Sequence, residues 1–376
     1  MFKAKFTEQE IIEKRKARKF TVPYNNNEPE YYLKKVIDPH LENIDSVYFE
    51  VPNILIRNHM SFNITRNVQE FFKSQQYTFK FVQILRDNPK YANIKKYVTL
   101  NCASYTQLSQ YDKYLYVGNY MSELVNNYKI DGIICADLEF AAAVKAIFPQ
   151  LDIQTSCNTY QFLPRAMTLW HNAVGTTTFN PPREVMRDVG LLKKIASTGF
   201  RLKCLVNEAC VFGCPQNINH AHYVADKGLG HELYCDTYQP RLSDILRTNF
   251  VLPRHLKYYD DYVDLYKLSG RGHKTDRIAR IVDAYVNERD DVPLNHAITS
   301  RKSKLLNTLE AEYNFTIPVS AVPDKLLTCM CEKCDNGCEI CDKIIAKLMK
   351  KAGLTEEQLE QVKLKCDPAY TETDTI

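Results

Sequence analysis

The residues best suited to chemistry are cysteines, which number 13 in this chain of 376 residues. One segment reads Cys329-Met-Cys331-Glu-Lys-Cys334-Asp-Asn-Gly-Cys338-Glu-Ile-Cys341. Two-residue gaps let a tight turn bring two thiolates onto one metal ion, and the Asn-Gly pair tolerates the positive φ that such a turn needs. Four thiolates suit a zinc ion and an iron–sulfur cubane alike. We therefore predict a metal site, holding zinc or a 4Fe-4S cluster, formed by Cys331, Cys334, Cys338 and Cys341.

A second group of cysteines follows a predicted strand over residues 201–206. Cys210 and Cys214 fall on the loop after this strand, and Cys235 lies further along. In barrel enzymes the loops at the carboxyl ends of the strands carry the chemistry. Three thiolates can hold one cluster through three irons, and the alternative is that these cysteines are merely buried. The fourth ligand is left open between Cys157, Cys204, Cys329 and no protein ligand, although the strand alternation favours a core position for Cys204.

Polar side chains also collect where the predicted strands end. Arginine can clamp a carboxylate or a phosphate with two hydrogen bonds, which makes Arg183 and Arg271 candidates for substrate binding. We add Glu208 and His220 as candidate catalytic residues; on a helix His222, two positions on, would lie well apart from His220. For each of these residues the competing interpretation is a structural ion pair or hydrogen bond. Weaker candidates at strand ends are Asp137, Asn158, Asn180, Asn207 and Ser269.

Short β-rich runs alternate with helical stretches through the middle of the chain, which predicts βα units. The candidate strands are 47–51, 79–85, 114–117, 132–135, 152–155, 176–179, 201–206 and 265–268. Eight such runs match a TIM-like (β/α) barrel in size. A doubly wound sheet is the alternative, but no G-x-G-x-x-G follows the first strand. We predict an α/β protein with an N-terminal helical and basic extension (1–40), a barrel (41–300) and a C-terminal cysteine-rich module with helices (301–376).

Composition narrows the class of protein. Hydrophobic residues make up 45% and charged residues 25%, which excludes disordered and collagen-like chains. The odd cysteine count and the lack of an apolar leader run argue against a disulfide-rich secreted domain, so we expect a cytoplasmic protein. No apolar run approaches membrane-spanning length, and we expect no membrane partner. A net charge of +4 permits a nucleic-acid partner without demanding one. The basic run 14–19 could contact phosphate or form a solvated helix face.

Several segments together resemble a known family. They are PPREVMRD, RLKCLVNEACVFGCPQNINHAHY, NFVLPRHLKYYDDYVDLYKLSGR and the terminal C-x2-C-x3-C-x2-C. Over roughly residues 132–341 the sequence is similar to the peptidase U32 (collagenase-like) family, particularly its compact bacterial members with a single barrel. The resemblance implies a TIM-like barrel, a 4Fe-4S cluster on Cys210, Cys214 and Cys235, and a family arginine at Arg183. The C-x3-C gap is shorter than in the collagenase-type pattern.

The resemblance also implies that several family members are not proteases but support oxygen-independent hydroxylation of RNA or of the ubiquinone ring. The sequence contains no H-E-x-x-H and no G-x-S-x-G motif, which weakens a hydrolytic interpretation. We expect an iron–sulfur enzyme that performs redox or hydroxylation chemistry on RNA or on a small aromatic or carboxylate substrate. The alternatives are a peptidase acting on unstructured polypeptide and a noncatalytic accessory protein whose C-terminal module binds a protein partner.

Overall fold

A computed structural model describes residues 7–51, 68–101, 110–159, 162–220, 241–300, 302–324, 326 and 338–366. Of the predicted metal ligands, Cys235, Cys331 and Cys334 lie outside these residues. So do His222 and Cys329. All other candidate site residues lie within them.

Within the described residues, eight parallel strands form one sheet. They are β1 (Phe20–Pro23), β2 (Ile44–Phe49), β3 (Lys95–Leu100), β4 (Gly132–Cys135), β5 (Asp152–Thr155), β6 (Thr178–Phe179), β7 (Arg201–Leu205) and β9 (Leu265–Lys267). Their spatial order is β5-β4-β3-β2-β1-β9-β7-β6, so the sheet follows the chain around a ring. The ring nearly closes between β5 and β6, where the backbone N–H of Asn180 donates to Oγ1 of Thr155 at 2.9 Å. The predicted α/β class and TIM-like barrel are confirmed.

Two short strands lie outside the barrel ring. β8 (Glu208–Ala209) pairs in parallel with β10 (Thr299–Ser300). Because β8 directly follows β7, this pairing fixes the start of the loop that carries Cys210. The backbone N–H of Thr299 also donates to the carbonyl of Asn207 at 2.7 Å.

Helices surround the strands. They are α1 (Glu8–Ala17), α2 (Pro29–Tyr32), α3 (Val68–Asp87), α4 (Gln110–Asn126), α5 (Leu138–Ile147), α6 (Pro164–Val174), α7 (Val189–Ala196), α8 (Thr275–Val286), α9 (Leu294–Ala297), α10 (Ser303–Tyr313), α11 (Ile340–Ala352) and α12 (Glu356–Cys366). Helical turns of other types occupy Leu33–Ile37, Asp38–Asn43, Pro89–Tyr91, Cys157–Thr159, Arg183–Arg187, Leu242–Arg247, Pro253–Tyr258 and Val319–Ala321. The main apolar core lies between this outer layer and the strands.

Two of the predicted strands are wrong. Residues 79–85 lie in α3 and residues 114–117 lie in α4. In α3, Phe81, Val82 and Leu85 are buried at helical spacing. Aromatic and β-branched residues favour strands only weakly, and burial on one helix face overrides that preference.

The first strand, β1, was not predicted, and it lies inside the segment assigned to an N-terminal extension. It pairs in parallel with β2 on one side and β9 on the other. The barrel therefore begins at Phe20. Within the basic run 14–19, Arg18 is 5% exposed and binds Asp260 at 2.8 Å and Glu288 at 2.5 Å. These ion pairs hold α1 against the barrel.

The C-terminal helices form as their sequence predicts. Thr355 and Gln358 make a reciprocal capping box at the start of α12, with distances of 2.9 and 3.2 Å. Helix α12 contacts α10, and Leu359 and Val362 are buried. No helix in the described parts of the chain has both the length and the apolar character needed to cross a membrane.

Candidate functional site

The interior of the barrel is lined by polar side chains. On β7, Cys204 belongs to the apolar core outside the ring, so its neighbour Lys203 faces the interior. Tyr48 and Tyr97 also lie inside, in a small cluster with Ile134 that is separate from the main core. Buried polar side chains of the ring strands include Thr21, Ser46, Thr99, Gln154, Lys203 and Lys267. TIM barrels usually fill this space with branched apolar residues, so we interpret this polar interior, called the chamber below, as a candidate site for binding or reaction.

Two buried lysines lie at successive depths in this chamber. Lys203 pairs with Leu265, and Lys267 pairs with Leu205, so Lys267 is nearer the carboxyl end of the strands. The Nζ of Lys203 donates to Oε1 of Gln154, and the Nζ of Lys267 lies 4.6 Å from the centroid of the Tyr48 ring. Burial lowers the pKa of both amines.

Three of the predicted catalytic residues converge where the strands end. Nη2 of Arg183 lies 2.9 Å from Oε2 of Glu208, across the ends of β6 and β7. Nη1 of Arg271, after β9, lies 3.7 Å from Oε2 of Glu50 and also donates to Oγ1 of Thr99. The guanidinium of Arg271 lies 5.6 Å from the centroid of the Tyr48 ring. These groups form the mouth of the barrel.

Two thiols lie beside Arg183 at this mouth. Cys157 opens the turn after β5, Cys210 follows β8, and both are half-buried. Burial alone would lower the pKa of Arg183. The nearby Glu208, Cys210 and Cys157 have a larger combined effect and raise the pKa of the guanidinium above its usual value. Cys204 lies on the other side of the strand, fully buried, and burial raises the pKa of its thiol. The predicted core position of Cys204 is therefore confirmed.

The loop between Cys210 and Cys214 is tied to the same arginine. Gly213 adopts a φ of 63°, a left-handed conformation that suits glycine at the turn into Cys214. The side-chain amide of Asn217 accepts a hydrogen bond from Nη1 of Arg183 at 3.2 Å and donates to Oε1 of Glu184 at 2.8 Å. His220 ends this stretch and is half-buried. The described geometry therefore positions the Cys210–Cys214 loop against Arg183 and Glu184.

Several buried polar atoms around Cys210 have no hydrogen-bond partner among the described residues. They are Oδ1 of Asn180, Nε of Arg183, Oε2 of Glu184 and Oδ1 of Asn249. The backbone N–H of Asn249 donates to the carbonyl of Cys210 at 2.9 Å, which places this amide beside the loop. Unsatisfied buried polar atoms are rare in folded proteins and often mark a place for a ligand or water. Of these atoms only Nε of Arg183 is a donor, so it alone could bind an anionic thiolate-bound group; the three oxygens would need a donor such as water.

The C-terminal cysteine site is described only in part. Cys338 is half-buried and Cys341 is 3% exposed. The adjacent Asp342 lies 2.9 Å from Nη2 of Arg247, which attaches the start of α11 to the turn Leu242–Arg247. Across the described ranges no group of three or more His, Cys, Asp or Glu side chains is placed to hold a metal ion. Those ranges include two of the four cysteines predicted for this site and two of the three predicted for the barrel.

We compared the sequence and the structure with those of known proteins. No family model matches the sequence. A solved structure titled as a U32 peptidase has a TM-score of 0.45 and 13% identity, and the match covers 68% of this chain and 94% of that chain. The sequence is 24% identical over 270 residues to an uncharacterized protease of Methanocaldococcus jannaschii, covering 69% of this chain and 78% of the relative. The sequence match to the archaeal protein spans more than two thirds of each of the two chains.

The sequence analysis did not predict a role for the two lysines inside the barrel. Lys203 and Lys267 each sit in a strand of otherwise mostly apolar residues, R-L-K-C-L and L-Y-K. Successive side chains of a strand point to opposite faces, so Lys203 and Lys267 lie on the face opposite Cys204 and Tyr266. Because Cys204 and Tyr266 belong to the core outside the ring, the alternation places both lysines inside it. Glu50 was also missed, because nothing in the sequence links it to Arg271.

Some of the weaker candidates at strand ends have structural roles. Oδ1 of Asn207 accepts from the backbone N–H of Ser269 at 2.6 Å, and its Nδ2 donates to the carbonyl of Ser269 at 3.1 Å. This exchange joins the ends of β7 and β9. Oδ1 of Asn158 accepts a hydrogen bond from Sγ of Cys157 at 3.7 Å, which holds the thiol within its turn.

Asp137 caps a helix, as its position predicts. Its Oδ1 accepts the backbone N–H of Phe140 at 2.9 Å at the start of α5. We expect Asp137→Ala to lower the free energy of unfolding by about 1 kcal/mol, because the N–H loses its partner. Urea denaturation followed by circular dichroism measures this change. The exposed Glu139 in the same turn is the control, and an equal loss in Glu139→Ala would contradict a specific capping effect.

Proposed function

We propose that the chain is an iron–sulfur enzyme of the U32 family, with a 4Fe-4S cluster held by Cys210, Cys214 and Cys235 at the barrel mouth. The observation that carries this proposal is the convergence of Cys157 and Cys210 on the buried Arg183, itself paired with Glu208. Burying thiolates needs a compensating positive charge, and Arg183 supplies one. A second cluster or a zinc ion would occupy Cys331, Cys334, Cys338 and Cys341.

When bound, the cluster would supply electron transfer for a redox or oxygen-independent hydroxylation reaction. Arg271 would bind a carboxylate or phosphate of the substrate, which is compatible with RNA or with a small aromatic or carboxylate compound. Glu208 retains 32% side-chain exposure and can hold or release a proton at the mouth. His220 would be a second proton carrier beside the cysteine loop. Arg183 would hold the negative charge of the thiolates.

The setting of this activity is also a proposal. Cysteines arranged as metal ligands suit a reducing compartment, and we propose that the protein acts in the cytoplasm. The C-terminal module could additionally bind a protein partner. Its first helix is attached to the barrel through the ion pair between Asp342 and Arg247, so binding there could influence the mouth.

Iron analysis tests the proposal directly. Protein purified without oxygen should contain acid-labile sulfide and iron and absorb visible light. Cys210→Ala should lose one cluster's iron, whereas Cys334→Ala should lose iron or zinc from the other site. Cys135→Ala is the matched control, because this thiol is buried at the end of β4 and donates to the carbonyl of Asp137. Colourless wild-type protein that contains only zinc would overturn the proposal.

A peptidase is the second candidate, favoured by the name of the archaeal relative. Four histidines with described side-chain contacts pair with acids or a carbonyl instead of a nucleophile. They are His40, His171, His255 and His296. Cleavage of casein or gelatin by metal-free protein would establish the peptidase, whereas retention of intact substrate would count against it.

A further inference from the structure

We propose that Lys267 is a nucleophilic amine that captures the carbonyl group of a small 2-oxo acid as an imine within the barrel mouth. This inference goes beyond the proposed iron–sulfur chemistry, because no step in it uses a cluster. Three observations support the inference: the position of Lys267, the charges around its amine, and the two arginines near it.

The position of Lys267 suits a nucleophile. It is the last residue of β9, on the interior face of the barrel, and it is 6% exposed. Among the described residues its Nζ makes no ion pair or hydrogen bond, and its one described side-chain contact is with the face of Tyr48 at 4.6 Å. Lysines elsewhere in the described chain, such as Lys14 and Lys96, are paired with carboxylates. The amine of Lys267 is therefore held in place without being neutralised by an acid.

The surrounding charges favour the unprotonated amine. Burial has the largest effect and lowers the pKa of Lys267, and Arg271 and Arg183 lower it further against the opposing Cys157 and Glu208. Tyr48 and the deeper Lys203 are the other titratable groups that face it. Desolvation next to a second cation is a known way to activate a lysine for imine formation.

The two arginines select the substrate class. Arg271 and Arg183 lie near the amine and can bind a carboxylate beside the reacting carbonyl. The neutral amine would attack the carbonyl carbon, forming a C–N bond, while the amine proton passes to the oxygen. Loss of water then gives the imine, and no oxidant or reductant is needed. Glu208 is placed to accept and return the proton.

The test traps the imine by reduction. Full-chain protein would be incubated with pyruvate, treated with sodium borohydride and mapped by peptide mass spectrometry. We expect the mass of one reduced pyruvate on Lys267, and loss of this adduct in Lys267→Met. Lys194→Met, at an exposed position on α7, is the matched control and should retain the adduct. Arg271→Gln should move the pH dependence of trapping to higher pH, because the amine loses a neighbouring cation.

Two outcomes would overturn the inference. The first is a wild-type peptide map in which exposed lysines are modified and Lys267 is not. The second is equal trapping in a folded Lys267→Met protein. The wild-type map alone decides the first outcome, so the test does not depend on the stability of a variant. Because trapping needs no iron, failure here leaves the iron measurement of the proposed function unaffected.

Discussion

Replacing Arg187 with Met should lower the free energy of unfolding by about 3–5 kcal/mol. Arg187 is 5% exposed, and its guanidinium donates to the backbone carbonyls of Leu246, Thr248 and Leu326. Methionine has similar length but no donors. Each carbonyl left buried without a partner costs about 1–3 kcal/mol, and only part of this loss is recovered by burying an apolar side chain.

Urea denaturation of the wild-type protein and of Arg187→Met measures this loss, provided that the free energy of unfolding falls with urea concentration at the same slope in both proteins. Arg241→Met is the matched control, because the side chain of Arg241 is 53% exposed and pairs with Asp244 at 3.2 Å. An exposed ion pair of this kind contributes at most about 1 kcal/mol. Similar losses in the two variants would mean that the three buried carbonyls do not depend on Arg187.

The position of Arg187 also connects the two cysteine regions. Thr248 forms a β-bridge with Val211, next to Cys210, and Leu326 lies shortly before the C-terminal cysteines. One guanidinium thus holds the backbone beside both proposed metal sites. The sequence places Arg187 four residues after Arg183, but it does not indicate that the two side chains serve different parts of the fold.

The sequence predicted those helices and strands that carry a clear local pattern of apolar residues and caps. The strand at Gly132–Cys135 and the helix after it were predictable, because an apolar run is followed by the N-cap Asp137. The capping box at Thr355 was predictable from the Thr-x-x-Gln spacing, which is typical of a helix start. The strand predicted at 79–85 was wrong. Its aromatic and β-branched residues suit a strand, but Phe81 and Leu85 are buried at helical spacing. β1 was missed because four residues after a basic run give little periodicity.

The candidate site was predictable as residues but not as contacts. Arg183, Glu208 and Arg271 could each be located at the end of a predicted strand, since the carboxyl ends of barrel strands share one face. The pairing of Arg183 with Glu208, and of Arg271 with Glu50, depends on the curvature of the ring and on side-chain direction. The two partners are 25 residues apart in the first pair and 221 residues apart in the second, so the local sequence carries no signal for either pair.

Lys203 should make the stability of the barrel rise with pH in the range below the usual lysine pKa of about 10.4. Burial and the nearby Lys267 lower the pKa of Lys203 well below its usual value, against the opposing effect of Asp152 and Asp45. In the unfolded chain a lysine keeps a pKa of about 10.4. Where pH lies between these two pKa values, the unfolded state binds more protons than the folded state, so raising the pH favours folding.

Lys203 is expected to add up to about 1.4 kcal/mol to the free energy of unfolding for each pH unit. Lys203→Met should reduce the slope of this free energy against pH by the same amount. Urea titrations at pH 7, 8 and 9 measure the slope in each protein. Lys194→Met is the matched control, because this ammonium is exposed on α7. A slope that Lys203→Met leaves unchanged would mean that Lys203 keeps its proton when folded. The hydrogen bond from Lys203 to Gln154 would then have to hold a buried charge, which is far costlier than holding a neutral amine.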